Sequence, residues 1–404
     1  MAYTELRKCR VCSCSDLELA FDLGNQPLAN DHCLIGEPRQ GFYPLKILLC
    51  SKCGLAQLSV VVDKEQLYRH YTYFSSSGTT MQRHYHRLFL DICSEQPSRN
   101  FLELASNDGG CLQFAKTKGF DVLGFDPARN LAELAEKNGV PTIAEFFDEK
   151  TAGFVLSKMG TPGVILARHV FAHIDDWHGF FKGLSLISNR DTLIVLEFPY
   201  VLDMLRNCSW DTLYHEHLSV ISLKPIAALL KETKFHIHRV TRVGIHAGAL
   251  VVMLRHNDHQ SQPHLSAEEF ISEERITKDQ WKTFSETSHR KIESLKSLVA
   301  EFQSKGDIVS IFGASAKTTV LCAACGFDRD SISFCTDNSP LKPGRLIPGT
   351  SIPIIKEDEM LSEFPNVAIC GAWNFRNEIL EKMDRYRKRG GKFVFPTAEG
   401  WEVV

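Results

Sequence analysis

Short apolar runs alternate with amphipathic stretches through the middle of the chain, and the same alternation restarts near residue 308. Residues 101–105 read as an apolar strand, 106–110 as a turn, 112–118 as a helix and 119–125 as a second strand. Residues 163–167 and 191–198 read as further strands. Between 264 and 304 the sequence is rich in charge, with Phe270, Ile271, Trp281, Ile292, Leu295, Leu298, Val299 and Phe302 at helical spacing. That pattern predicts one or two helices bridging domains. A strand at 308–312, a turn at 313–317, a helix at 318–325 and a strand at 332–336 follow. Strands that alternate with helices predict α/β architecture with parallel sheets. A chain of 404 residues is too long for one core. The expected division is 1–75, 76–262 and 263–404, the last two Rossmann-like.

Composition narrows the class. Hydrophobic residues are 44% and charged residues 24%, as in ordinary globular proteins. The net charge is −3 with no long basic run, so nucleic-acid or membrane-surface binding has no electrostatic support. No apolar stretch reaches the length of a membrane span, and the first residues carry no apolar signal region. A cytoplasmic protein acting on a small molecule is expected.

Among thirteen cysteines, Cys9-Arg-Val-Cys12 and Cys50-Ser-Lys-Cys53-Gly54 stand out. Each C-x-x-C pair aims two thiolates at one point, and two pairs make a tetrahedral site suited to structural zinc. Cys14 and Cys33 lie between the pairs as competing ligands. Four protein ligands leave no open position, so this zinc holds structure.

The turn at 106–110 lacks the full glycine fingerprint of dinucleotide binding, although Asp126-Pro127 closes the second strand where a ribose hydroxyl would bind. Glu103 is an acid inside an apolar strand, available to a cofactor's amine end or to the turn's amides. These features fit S-adenosylmethionine better than NAD. Ligands of open α/β sheets sit beyond the carboxyl ends of the strands, where the turn, Asp126, His169, His173 and Tyr200 all fall. Soon after comes Tyr214-His-Glu-His217, a phenol, a carboxylate and two imidazoles suited to removing a proton next to a carbonyl. Gly313, Ser315 and Lys317 at a helix start could hold a phosphate, with Lys342 and Arg345 adding charge and Asp337 ending the next strand.

In order along nearly the whole chain, these segments resemble the sugar C-methyltransferases of bacterial deoxysugar pathways. The resemblance runs through the four cysteines, Tyr71-Thr-Tyr73-Phe-Ser-Ser, Glu103-Leu-Ala-Ser-Asn-Asp-Gly109, Gly124-Phe-Asp126-Pro127-Ala128 and His169-Val-Phe-Ala-His173. It continues through Glu197-Phe-Pro-Tyr200, Asp211 to Ser219, Gly313 to Lys317, Pro348-Gly-Thr350 and Ala372-Trp-Asn-Phe375. It implies an N-terminal zinc-binding domain, a central S-adenosylmethionine domain and a C-terminal domain that receives substrate. His217 is then the base, supported by Tyr214 and Glu216, with His173 and Tyr73 lining the pocket. Glu103, Ala105, Ser106, Asn107, Asp126, Pro127 and His169 fall at the methyl donor. Ser315, Lys317, Asp337 and Lys342 fall at the nucleotide of a nucleoside diphosphate keto-sugar. The chain departs from the family's usual residues at His169, Val220, Ala247, Ala249, Val251 and Thr318.

The expected reaction takes a proton from a carbon beside a ketone. His217 removes it, Glu216 orients the imidazole, Tyr214 or His173 donates to the enolate oxygen, and the carbon is methylated. The competing readings are methylation of a non-sugar carbon acid, an NAD-dependent sugar oxidoreductase or epimerase, and a non-catalytic scaffold. His236 and His238 read as exposed positions of a strand, and neither His84/His86 nor His215/His217 is expected to bind metal.

Overall fold

The computed structural model describes residues 3–37, 41–74, 79–260 and 266–404. The expected boundaries at 75/76 and 262/263, and the two serines closing the Tyr71 motif, lie outside those residues. The N-terminal part is built from β1 (Tyr3–Glu5), β2 (Leu17–Pro27), β3 (Phe42–Cys50), β4 (Ala56–Leu58) and β5 (Val60–Val62). β2, β3 and β4 form an antiparallel meander, and β1 pairs with β5. The central part supplies β6 (Asn100–Leu104), β7 (Asp121–Phe125), β8 (Thr142–Ile143), β9 (Val164–Arg168), β10 (Leu193–Pro199), β11 (Ser219–Val220), β12 (Phe235–Val243) and β13 (Ala249–His256). Its sheet has the order β12-β13-β10-β9-β6-β7-β8 and is parallel from β10 to β8. β11 is the exception: it leaves the central sheet and pairs antiparallel with β4 of the N-terminal part.

The C-terminal sheet contains β14 (Val309–Phe312), β15 (Cys335–Asp337), β16 (Ile354–Lys356), β17 (Val367–Cys370), β18 (Lys392–Pro396) and β19 (Trp401–Val403), in the order β16-β15-β14-β17-β18-β19. Both large sheets therefore reverse direction of winding, one between β6 and β9, the other between β14 and β17. Each reversal opens a crevice beyond the strand ends.

The charge-rich stretch forms two helices, Ser266–Glu273 and Lys278–Ser304. The longer begins with a capping box, Thr277 against Gln280, and buries Trp281, Phe284, Ile292, Leu295, Val299 and Phe302. Phe284 meets Phe21 of β2 edge to face, with ring centroids 5.1 Å apart. One apolar cluster runs from Phe21 through Leu196 and Phe284 to Val394, so the three parts share a core.

Local boundaries shift in ways that matter. Arg168 is the last residue of β9 and not the residue after it. Lys317 lies inside the helix Ala316–Cys325, which begins earlier than its apolar pattern suggests because Ser315 caps it. Residues 332–334 are not strand; β15 starts at Cys335. The expectation that His236 and His238 are exposed fails at both: His236 is half-buried, and His238 is buried with its Nε2 3.1 Å from Glu95 Oε2. A bulge between Ile237 and Arg239 breaks the two-residue alternation and turns His238 inward.

The four Sγ atoms of Cys9, Cys12, Cys50 and Cys53 lie within 4.8 Å of one another, with Cys9–Cys53 at 3.4 Å and Cys12–Cys50 at 3.5 Å. A tetrahedral zinc with Zn–S bonds of about 2.3 Å needs sulfur separations of about 3.8 Å, so the cluster fits. Gly54, at φ 77°, makes the second knuckle's turn. Neither Cys14 nor Cys33 joins a metal-competent cluster among the described residues. Removal of zinc by a chelator is expected to lower the Tm by several degrees and to be mimicked by Cys50→Ser. Elemental analysis should find about one zinc per chain in the wild type. A Tm indifferent to the chelator would contradict this.

Candidate active site

The two crevices open on one cavity of about 1210 Å³, walled by all three parts of the chain. At the central crevice the turn after β6 has Ala105, Asn107 and Gly109 at φ 53°, 54° and 76°. The left-handed conformation costs Ala roughly 1–2 kcal/mol and is easier for Asn. The turn thus reaches a glycine-like shape with only one of its three left-handed positions filled by glycine, which is why the fingerprint is missing. Asp126 fixes it: Oδ2 accepts from the Asn107 amide at 2.7 Å and Oδ1 from the Ala128 amide at 2.8 Å. Burial raises the Asp126 carboxyl to about 6, with those amides opposing the rise.

Ala105, Asn107, Asp126, Pro127, His169 and Tyr73 line the cavity; Glu103 and Ser106 do not. Glu103 is fully buried and bonded to Arg168, and burial raises its carboxyl to about 7. The expected contact between Glu103 and the donor's amine is therefore replaced by an internal ion pair. Ser106 turns against Gly124, where a Cβ would meet its Oγ at 2.5 Å. His169 is the third non-glycine left-handed residue at these strand ends, at φ 50°. Its Nε2 lies 2.7 Å from Glu197 Oε1, and His84 Nε2 lies 2.7 Å from Glu197 Oε2. Burial would raise the Glu197 carboxyl, but the two imidazoles overcome it and hold the group below the usual carboxylate range.

The Tyr214–His217 segment leads directly into β11. His217 Nδ1 donates to the Thr212 carbonyl at 2.8 Å, which fixes the tautomer and leaves the lone pair on Nε2. The Tyr214 hydroxyl, 2.9 Å away, donates to that Nε2. Burial lowers His217 to about 4, so the imidazole is neutral at physiological pH. His173 crosses His217 at 85°, with ring centroids 5.0 Å apart. Its Nδ1 is 3.2 Å from the Tyr68 hydroxyl, which lies 3.2 Å from the Glu216 carbonyl oxygen. The carbonyl can only accept, so Tyr68 donates to it and receives from His173. Burial holds His173 well below its ordinary pKa, and its free Nε2 is an acceptor. In that tautomer His173 presents an acceptor at Nε2, and Tyr214 is the donor nearer His217.

Glu216 does not orient His217. Its Oε1 accepts from Asn30 Nδ2 at 2.7 Å and its Oε2 from the Tyr71 hydroxyl at 2.5 Å. The chain turns here, with the His217 amide donating to the Tyr214 carbonyl at 2.9 Å, so 217 faces the cavity and 216 faces the N-terminal part. His215 likewise turns away, to the Pro44 carbonyl at 3.3 Å.

At the second crevice, Ser315, Lys317, Asp337 and Lys342 line the cavity, but three of them build the loop. Ser315 Oγ donates to the Gly371 carbonyl at 2.8 Å. Asp337 accepts from the amides of Ala314 and Ser339, and Lys342 Nζ donates to the Ala314 carbonyl at 2.9 Å. Lys317 is the freer cation, 5.7 Å from the centre of the Trp373 ring. Trp373 Nε1 donates to Asp211 at 2.6 Å. Arg168, Phe146, Phe147 and Trp373 also line the cavity and carried no assigned role in the sequence reading. The position of Arg168 at a strand end and of Trp373 in the Ala372–Phe375 motif were the available signals.

Residues 9–68 match a zinc binding domain family, 68–240 a methyltransferase domain family and 244–397 the C-methyltransferase C-terminal domain family. The chain is 31% identical to C-methyltransferase NovU of Streptomyces niveus, over 97% of this chain and 96% of that protein. Among solved structures, the PH0226 protein of Pyrococcus horikoshii OT3 is 14% identical with a TM-score of 0.36, over 48% of this chain and 97% of that one. Magnesium protoporphyrin IX methyltransferase of Synechocystis PCC 6803 with bound SAM is 12% identical with a TM-score of 0.32, over 43% and 79%. The cofactors are S-adenosylmethionine and, at the four cysteines, zinc.

Glu216 and His217 impose opposite dependences of stability on pH. Burial raises Glu216 to about 7, against an ordinary value of 4.5. The folded chain keeps a proton that the unfolded chain releases between pH 4.5 and 7, so this stabilisation is complete below that window and lost as pH rises through it. His217, lowered from 6.5 to about 4, refuses a proton that the unfolded chain accepts, and costs stability as pH falls through that range. Glu216→Gln should therefore gain in Tm relative to wild type as the pH is raised from about 5 to about 7.5. A gap in Tm that is constant with pH would mean an ordinary carboxyl.

Proposed function

This chain belongs to the C-methyltransferase family, and we propose that it methylates the carbon next to the ketone of a nucleoside diphosphate 4-keto-deoxysugar. The observation that carries this reading is the joining of two crevices in one cavity with His217 on its wall. Pockets for a single small ligand are commonly about 300–1,000 Å³; this one exceeds that range, as two bound ligands require. The central crevice, with Asn107 and Asp126 at its turn, suits the donor. The C-terminal crevice, with Lys317 beside Trp373, suits a phosphate and a planar base. We also propose the division into zinc-binding, donor-binding and substrate-binding domains, and a cytoplasmic setting in deoxysugar biosynthesis.

When bound, S-adenosylmethionine supplies the electrophilic methyl group. The protein's task is to make a carbon nucleophile and aim it. His217, neutral and locked by Thr212, takes the ring proton at Nε2. Protonation of Nε2 ends its role as acceptor and frees the Tyr214 hydroxyl, which then donates to the enolate oxygen. Base and oxyanion donor are thus coupled through one hydrogen bond. Glu216 acts at a distance, by holding the segment against Asn30 and Tyr71. The zinc takes no part in proton transfer.

His217→Asn is expected to lower kcat on a nucleoside diphosphate 4-keto-deoxysugar by about 10²–10⁴-fold. Calorimetric affinity for S-adenosylmethionine should be unchanged. Full turnover by this variant would remove His217 from the mechanism. Failure of the wild type on such sugars, with turnover of another ketone, would change the substrate class.

A further inference from the structure

Arg168 closes β9 at the winding reversal of the central sheet, is 8% exposed, and has no part in the proton transfers above. Its Nε and Nη2 donate to a single oxygen, Glu103 Oε1, at 3.0 and 2.8 Å. Its planar group lies over the Tyr85 ring, 4.5 Å from the centroid. An ion pair serving only the fold gains most from fork-to-fork geometry on both carboxylate oxygens. Here Glu103 Oε2 is buried without a hydrogen-bond partner, while Arg168 walls the cavity together with Tyr73, Ala105 and Asn107. The guanidinium is held by Glu103 along one edge and by Tyr85 on one face, with the buried Cys111 thiol as a further neighbour.

Its surroundings are acidic. Asp108 and Asp126 are both buried at the same strand ends, and both act on Glu103 electrostatically. The methionine end of the donor carries an ammonium and a carboxylate beside its sulfonium. Asp126, on the cavity wall, suits the cationic groups; the carboxylate needs a rigid cationic fork. We propose that Arg168 anchors the carboxylate of bound S-adenosylmethionine, with Glu103 and Tyr85 acting as positioning residues for the guanidinium. This deepens the donor-site reading above and rests on it.

The test is calorimetric and independent of turnover. S-Adenosylmethionine and its decarboxylated analogue, which keeps the amine and the sulfonium, are titrated into the zinc-loaded full chain. Wild type should prefer the carboxylate-bearing ligand on the order of 10- to 100-fold, as for a hydrogen bond to a charged group. Arg168→Met should bring that ratio close to one. Because this variant leaves Glu103 buried without its cation, Glu103→Gln/Arg168→Met is measured beside it, and the ratio should collapse there too. Equal binding of the two ligands by wild type, or a preference that survives in the folded double variant, would overturn the assignment. Failure of wild type to bind either ligand would overturn the donor site itself, whereas a failed ratio with intact binding would touch Arg168 alone.

Discussion

The Glu216 carboxyl, held between Asn30 and Tyr71, sets the position of everything that happens next to it. One residue later the backbone presents His217 to the cavity, and two residues after that it enters a sheet whose other strands belong to the N-terminal part. The Leu58 amide donates to the Leu218 carbonyl at 3.0 Å, and Arg10, inside the first cysteine knuckle, reaches Ser219 Oγ at 3.4 Å. His217 is therefore mounted on the N-terminal part, which carries the four cysteines, although its sequence neighbours pack in the central part. Positioning is the larger part of what such an enzyme supplies when the methyl donor is already activated, and here the mounting is made of buried hydrogen bonds rather than a loop.

The same logic joins the two α/β parts. Thr319 Oγ1, in the helix that starts the C-terminal crevice, donates to the Ala29 carbonyl at 2.8 Å, one residue before Asn30. Trp373 reaches Asp211 at the start of the His217 segment. The C-terminal crevice, His217 and the central crevice are thus connected within a few bonds. Strain concentrates where they meet: Ala105, Asn107 and His169 all hold left-handed backbone at the strand ends. Such conformations persist only where the surroundings over-determine them, as the Asp126 and Glu197 bonds do.

Much of this was legible in the chain. Two C-x-x-C pairs state their geometry through spacing, and strand–turn–helix units state theirs through hydrophobic period. What was not legible depended on partners far away in sequence. Nothing local marks Ser219 and Val220 as a strand, because their partner is β4. Glu216 beside His217 looks like a catalytic pair, and only the fold shows that adjacent side chains face opposite walls. Asp337 and Lys342 look like ligand-binding charges, yet they spend their hydrogen bonds on the Ala314 loop. Arg168 was hidden by an apolar strand that ends in a charge, and His238 by a bulge that no propensity announces.

The pairing of β4 with β11 has a consequence for how the chain is made. Gln57 leaves the ribosome long before its partner Ser219 exists. Until then the N-terminal meander carries an open edge at β4, with unspent amide and carbonyl groups next to the apolar Leu55, Ala56 and Leu58. Such edges invite pairing with other chains, and distant closure is slow. Nascent chains halted between the first methyltransferase strands and residue 220 would be the adhesive species in the life of this protein. Early filling of the cysteine knuckles would be its natural protection.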